Sequence, residues 1–561
     1  MPVCTTLRSV IAGSIVFLAP AAHGQGVSRV STDSTGGEAE AASSSRSLSA
    51  DGRLVAFTSD ASDLIAGDSN GVSDVFVRDR ANGTLAMVSV STAGNGTSSA
   101  PSLSGDGLWC AFVSAASDLV VGDTNGKSDI FLRNLADGTT TRISVSTAGV
   151  AANGDSSGPW CDWDGDVIVF ASGATNLVAS DTNNFQDIFV RDVVAGTTTR
   201  VSVSSAGVAG NGKSIRATVT HDGQKVAFSS SANNLIANDG NNRSDCFVHD
   251  RAAATTIRVS VADNGFGGDG DSGDPEISGD GSVVVFDSKS TNLVSGDTNL
   301  DDDIFLHDLA SATTVRLSVD ENGNEVDLDS YEASVSIDGA IVSFASDSDT
   351  LVAGDTNGCS DVFVLERSRG ILARVSVSVD GSEADANCHN PELSNDGYVV
   401  IFESAATTLV PNDGAGVNDV FAHATVEVRF VEYGSGLVGS GGHVPHLRGA
   451  GGRGDGDAGY SVTLDDGVGF APGLLFISGG SATFPIFKGI GLVDFGLLLG
   501  AEPLLLAGGF GAPGEGTITI DGIDVTDVPD VSIYLQVFLV DAGAARGISL
   551  SNGLELDIVG R

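Results

Sequence analysis

The chain has 561 residues and sets 28 Lys plus Arg against 73 Asp plus Glu, a formal net charge of -45. A surface this acidic repels phosphate backbones and excludes nucleic acid as a partner. Six cysteines, one of them Cys4, leave five in the rest of the chain, an odd number that excludes a fully paired disulfide framework.

From Arg8 an apolar stretch, Val10 to Ala19, leads to small residues around Ala22-His23-Gly24 and then to a polar, Ser-rich segment. This is the pattern of a secretory signal peptide over residues 1–24, with Gln25 opening the mature chain. Export predicts a secreted, periplasmic or cell-surface protein. No later stretch reads as a transmembrane segment, because the nearest, Gly489 to Gly509, carries Asp494, Glu502 and Pro503, which are costly in lipid.

Past the leader, an Asp-Gly turn recurs at Asp51, Asp106, Asp164, Asp222, Asp280, Asp338 and Asp396, spaced 55 residues once and then 58 five times. A second anchor, Asp74 and its counterparts through Asp419, follows each at 23 residues. Phe stands at a fixed offset from both anchors, from Phe57 and Phe76 to Phe402 and Phe421, so the Phe positions read as repeated core layers. Within one repeat the pattern predicts four short strands, the last written Arg-[Val/Ile/Leu]-Ser-Val at Arg142, Arg200, Arg258, Arg316 and Arg374. The first such strand, Ser28-Arg29-Val30-Ser31, precedes any complete repeat, and the seventh repeat stops after His423. The N-terminal strand therefore completes the last blade. The expectation is an all-β, seven-bladed β-propeller of four-stranded blades over residues 25–424, closed by that strand so that no open edge remains.

The Leu-Ser-x-Asp-Gly-x-x-Val-x-Phe pattern resembles the Asp-Gly repeat of TolB-like bacterial propellers. The resemblance covers roughly residues 27 to 424 and implies the fold, not a role in the cell envelope. Residues 425–561 turn to Gly and Leu with β-like runs such as Val531 to Val540, and predict a separate, small β-sandwich-like domain resembling C-terminal modules of exported bacterial proteins.

Between the second and third strands lies Asp-x-Asn-x-x-x-Asp: Asp68, Asn70, Asp74; Asp123, Asn125, Asp129; Asp181, Asn183, Asp187; Asp239, Asn241, Asp245; Asp297, Asn299, Asp303; Asp355, Asn357, Asp361. The seventh copy keeps Asp413 and Asp419 but has Ala415. Alternating oxygen ligands followed by a further carboxylate suit Ca²⁺, a hard ion wanting six to eight oxygens. The loop resembles the calcium loops of integrin-type propellers, without their extra acid at the fifth position. The competing reading is a tight turn capped by Asp and Asn bonding their own backbone.

Antiparallel strands bring these loops and those joining successive repeats to one face. That face is strongly negative around Asp263 to Asp274, Asp320 to Glu332 and Asp380 to Asn387. The functional expectation is a non-enzymatic scaffold engaging a protein or polysaccharide there, with calcium as its one cofactor. The alternative is a polysaccharide- or peptide-cleaving enzyme using loop carboxylates, which requires two acids of separated pKa. His249, His307 and His423 occupy the place of Arg78, Arg133 and Arg191 and read as one structural position. His221 falls on a variable turn, His389 stands alone, His443 and His446 lack a third ligand, and Arg453-Gly454-Asp455 sits in a loop of Gly, Arg and Asp.

Overall fold

In the computed structural model, residues 26–424 are described apart from 34, 67, 91–95, 379 and 415, and beyond residue 426 the backbone of a set of strands is described. The signal-peptide segment, His443 and Arg453 to Asp455 lie outside the described residues. Two compact units divide the described chain, the first being Gly26–Ala424.

The first unit consists of seven four-stranded antiparallel sheets. The first blade runs β2 (Ser43–Leu48), β3 (Leu54–Ser59), β4 (Asp74–Asp79), β5 (Thr84–Met87), and five further blades repeat this meander. The last sheet joins Cys388–Leu393, Val399–Ser404 and Asp419–Ala424 to β1 (Gly26–Arg29), which pairs from Gly26 opposite Ala424 to Arg29 opposite Phe421. The N-terminal strand thus closes the ring, and the fold is a seven-bladed β-propeller. Neither helix nor membrane-spanning helix occurs among the described residues. We letter the strands of each blade a to d from the axis outward.

Strand b alternates its side chains between the two neighbouring blades. Val55 and Phe57 join a core with Ile401, Val420 and Ala422 of the seventh blade, whereas Ala56 faces Phe112 and Phe131 of the second. The two Phe of each repeat are register partners across strands b and c, as in Phe57 opposite Phe76. Their rings stack at 5.7 to 6.0 Å in all seven blades. Each fully buried Phe contributes about 1.5–3 kcal/mol, so the repeated aromatic pair is the main apolar glue between blades.

The Asp-Gly motif is explained at the a–b turn. Ser49 Oγ donates to Asp51 Oδ1 at 2.6 Å and accepts from Leu54 N at 2.9 Å, while Asp51 Oδ1 accepts from Arg53 N at 3.0 Å. Gly52 is required twice over: its φ is +66°, and a Cβ there would lie 2.5 Å from Cγ2 of Val399 in the adjacent blade.

In the second unit the described elements after residue 426 are all strands. Its largest sheet orders Glu427–Tyr433, Gly553–Val559, Val531–Val540, Pro472–Ser478 and Leu498–Leu505, with Ile548–Leu550 on the Val531–Val540 strand. A three-stranded and a two-stranded sheet complete it.

Candidate functional site

The repeated acidic loops meet the d–a loops on one face, as in Ser128 N donating to Asp155 Oδ1 at 3.1 Å. In the second blade Asn125 Oδ1 accepts from Lys127 N at 3.1 Å, and its Nδ2 donates to Asp129 Oδ2 at 2.6 Å and to the Ala152 carbonyl at 3.1 Å. Ser144 Oγ, from the Arg-x-Ser-Val strand, donates to Asp129 Oδ1. The arginine of that strand then bridges the two acids, with Arg142 Nη1 2.9 Å from Asp123 Oδ1 and 3.2 Å from Asp129 Oδ2.

Arg200 does the same for Asp181 and Asp187, and Arg258 for Asp239 and Asp245. Arg316 serves Asp297 and Asp303 and gains Glu325 at 2.9 Å, and Arg374 serves Asp355 and Asp361 and gains Glu383 at 2.9 Å. In the closing blade Arg29 reaches Glu38, Asp413 and Asp419. A guanidinium thus stands where the sequence pattern places a cation, which is the sound arrangement for buried carboxylates. Burial still pushes Asp297 and Asp355 up to about 6.

The first blade departs from this. Opposite Phe76, where the next blade sets Arg142 opposite Phe131, stands Met87. Asp74 keeps its bonds from Ser89 Oγ and Asn70 Nδ2, both at 2.6 Å. Among the described residues no hydrogen bond reaches the buried Asp68 Oδ1, and burial together with the Asp74 charge raises the Asp68 pKa against a backbone bond from Asn70.

The axis carries the second feature. At the a–b turns, backbone bonds run from blade to blade: Asp106 N to Trp163 O, Trp163 N to His221 O, His221 N to Gly279 O and Ile337 N to Asn395 O. The side chains at this position fill the axis. Trp163 and His221 have ring centroids 4.9 Å apart, and Asn395 Nδ2 lies 2.7 Å from His221 Nε2. Gly105 and Gly279 make room, since a Cβ on them would fall 2.5 Å from Trp163 and 2.6 Å from His221.

Toward the loop face the axis widens into a cavity of about 360 Å³, lined by residues of strand a and by Gln186 and Lys213 of the loops. The propeller is therefore a cup, floored on the turn face and reached from the acidic face. Its wall includes Asp274, Glu276, Glu332, Glu392, Arg216 and Trp160. Burial pushes Glu276 up to about 7.

Of the isolated histidines, His249 and His307 each bond a threonine of strand d through Nδ1 at 2.9 Å (Thr256, Thr314), and Arg133 and Arg191 bond Thr140 and Thr198 in the same place. That position is structural. His389 lies on strand a with Nε2 3.7 Å from Glu403 Oε2. Cys110, Cys161, Cys246 and Cys388 are buried thiols. The cup and its floor were not legible as a site, because the converging residues differ in every repeat and leave no periodic signal.

These features define a β-propeller with an axial cup. No protein-family model and no curated protein sequence matches the chain. Among solved structures it is similar to a putative TolB from Agrobacterium tumefaciens at 14% identity, covering 61% of this chain and 94% of that one with a TM-score of 0.33. TolB from Acinetobacter baumannii matches at 13% identity over 67% of this chain and 81% of that one, TM-score 0.32. A prolyl endopeptidase matches at 11% identity over 77% of this chain and 56% of that one, TM-score 0.42.

Proposed function

We propose that this chain is an exported, non-enzymatic binding scaffold whose acidic, loop-bearing face engages a protein or polysaccharide. The observation that carries the reading is the shape of the axis: a floor of Trp163, His221 and Asn395 on one face and an acid-walled cup open toward the other. A concave site at the mouth of a closed β architecture is where ligands of such folds are held. The repeated carboxylates are fixed in arginine and serine bonds, which suits a rigid display surface.

Calcium belongs to the same reading in a narrowed form. Where an arginine already neutralises the two aspartates, an added cation has to displace it. The first-blade loop of Asp68, Asn70 and Asp74 has no such arginine, and the orphaned Asp68 Oδ1 suits a hard ion. This loop is where we place the ion, completed by backbone oxygens or water.

The test is to incubate the mature protein with polysaccharides and peptide libraries and to measure retention and product together. Retention without product supports the scaffold. Product formation that disappears when loop acids are replaced overturns it in favour of a hydrolase or lyase.

A further inference from the structure

We propose that the axial cup receives a basic side chain, a lysine or arginine of a peptide or protein partner, inserted from the loop face. This rests on the scaffold reading and names the chemistry of its partner.

The wall of the cup is built by a repeated irregularity. Strand a is bulged in all seven blades, and in the six from the second onward the bulged residue takes a left-handed backbone: Ala100 (φ 51°), Gly158 (57°), Arg216 (54°), Asp274 (43°), Glu332 (57°) and Asn390 (52°). A bulge re-aims a side chain out of the alternating pattern, and all six residues line the cavity. A non-glycine residue held there is strained, and such strain is concentrated at ligand clamps and active sites.

Blade order sorts these residues into two arcs. Ala100 and Gly158, followed by Pro101, Pro159 and Trp160, give a small and apolar arc. Arg216, Asp274, Glu332 and Asn390 give a polar one, completed by Glu276 and Glu392. Among the described residues four carboxylates face two cations, Arg216 and Lys213, and Arg216 is already ion-paired with Asp274. The remaining acids are positioned by the neighbouring blade: Glu276 Oε1 accepts from Val335 N at 2.9 Å and Ser334 Oγ at 3.1 Å, and Glu332 Oε2 accepts from Asn390 N at 2.6 Å.

A cup of this size admits a side chain and not a folded domain. A lysine or arginine matches both arcs at once, its aliphatic stem against the prolines and indole and its charged head at the carboxylates, with the Trp160 face as a further cation acceptor. A bare metal ion leaves the apolar arc unused, a neutral sugar leaves the surplus negative charge unmatched, and an anion is repelled.

The test is calorimetric titration of the mature full-length protein at low salt with capped Gly-Gly-Lys-Gly-Gly, its arginine counterpart, the Nε-acetylated lysine form and a neutral glucose hexasaccharide. The expected result is saturable binding of the basic peptides that weakens about tenfold or more on acetylation, in Glu332→Gln and in Glu276→Gln. Glu332→Gln, at the cup mouth, is expected to keep the wild-type melting temperature and decides the matter if Glu276→Gln does not fold. Absence of basic-peptide binding, equal binding of the acetylated form, or displacement by the hexasaccharide overturns the proposal. Saccharide or neutral-peptide binding to the loop face sinks this inference and leaves the scaffold standing. Turnover of a polymer by loop acids sinks the scaffold, while lysine binding in the cup is still read separately.

Discussion

Asn395 donates its side-chain amide to His221 Nε2 at 2.7 Å, joining two blades 174 positions apart in the chain. An amide donor there fixes the tautomer, leaving the proton on Nδ1 and the imidazole neutral. Burial is what holds the His221 pKa below its ordinary value. The bond closes the cup floor. Asn395→Ala is expected to cost about 1–2 kcal/mol in denaturant unfolding, the price of one buried hydrogen bond; a cost near zero would show that the floor is held by the turn backbone alone.

Phe247 is fully buried and stacks on Phe228 at 5.8 Å. Phe247→Ala leaves a cavity between blades and is expected to cost about 3–5 kcal/mol. Equilibrium unfolding of the variant measures it, and an effect under about 1 kcal/mol would contradict the aromatic-pair account of blade adhesion.

The arginine struts predict changes of opposite sign at equivalent positions of two blades. Arg200→Met strands Asp181 and Asp187 and is expected to cost about 3–5 kcal/mol. Met87→Arg supplies the first blade with its missing counter-ion and is expected to raise the melting temperature. If calcium occupies that loop, a concentration about 100 times Kd stabilises wild type by roughly 2.7 kcal/mol, and Met87→Arg abolishes the response. A calcium response unchanged by Met87→Arg would move the ion elsewhere.

Asp162 replaces the turn hydroxyl that Ser49 supplies in the first blade, and it is buried while accepting from Val167 N at 3.1 Å. Burial pushes its pKa up to about 7. The folded form therefore binds a proton that the unfolded chain releases near 3.8. Its contribution is favourable below that value and is lost as pH rises toward 7. Asp162→Ser restores the common motif and is expected to stabilise the protein by about 1–3 kcal/mol at pH 8, with little gain at pH 4. Denaturant midpoints at the two pH values give the comparison, and an equal effect at both would mean that Asp162 does not titrate on unfolding.

Most of the fold was legible because its causes repeat. The Ser-Asp-Gly turn, the Phe pair and the terminal strand each recur at a fixed offset, and each has one local physical reason. The acidic loops were legible as a pattern but not as a network: Arg142 lies 19 residues from Asp123 and 13 from Asp129, so the pairing becomes visible only when strands c and d lie side by side. The departure at Met87 was equally present in the sequence and gained meaning only once arginine was seen to fill the loop elsewhere. The cup was hidden for the reverse reason. Trp163, His221 and Asn395 hold equivalent positions, as do Ala100, Arg216 and Glu332, yet their chemistry varies from blade to blade, and an axial site is made of differences between repeats.

On the proposed function the loop-bearing face, through its cup, is the binding surface. The most direct measurement is a combined peptide and glycan array probed with the mature protein, with Glu332→Arg at the cup mouth, and with Leu108→Arg at an exposed a–b turn on the other face. Hits that Glu332→Arg loses and Leu108→Arg keeps are the expected result. Hits indifferent to Glu332→Arg, or lost with Leu108→Arg, would contradict it.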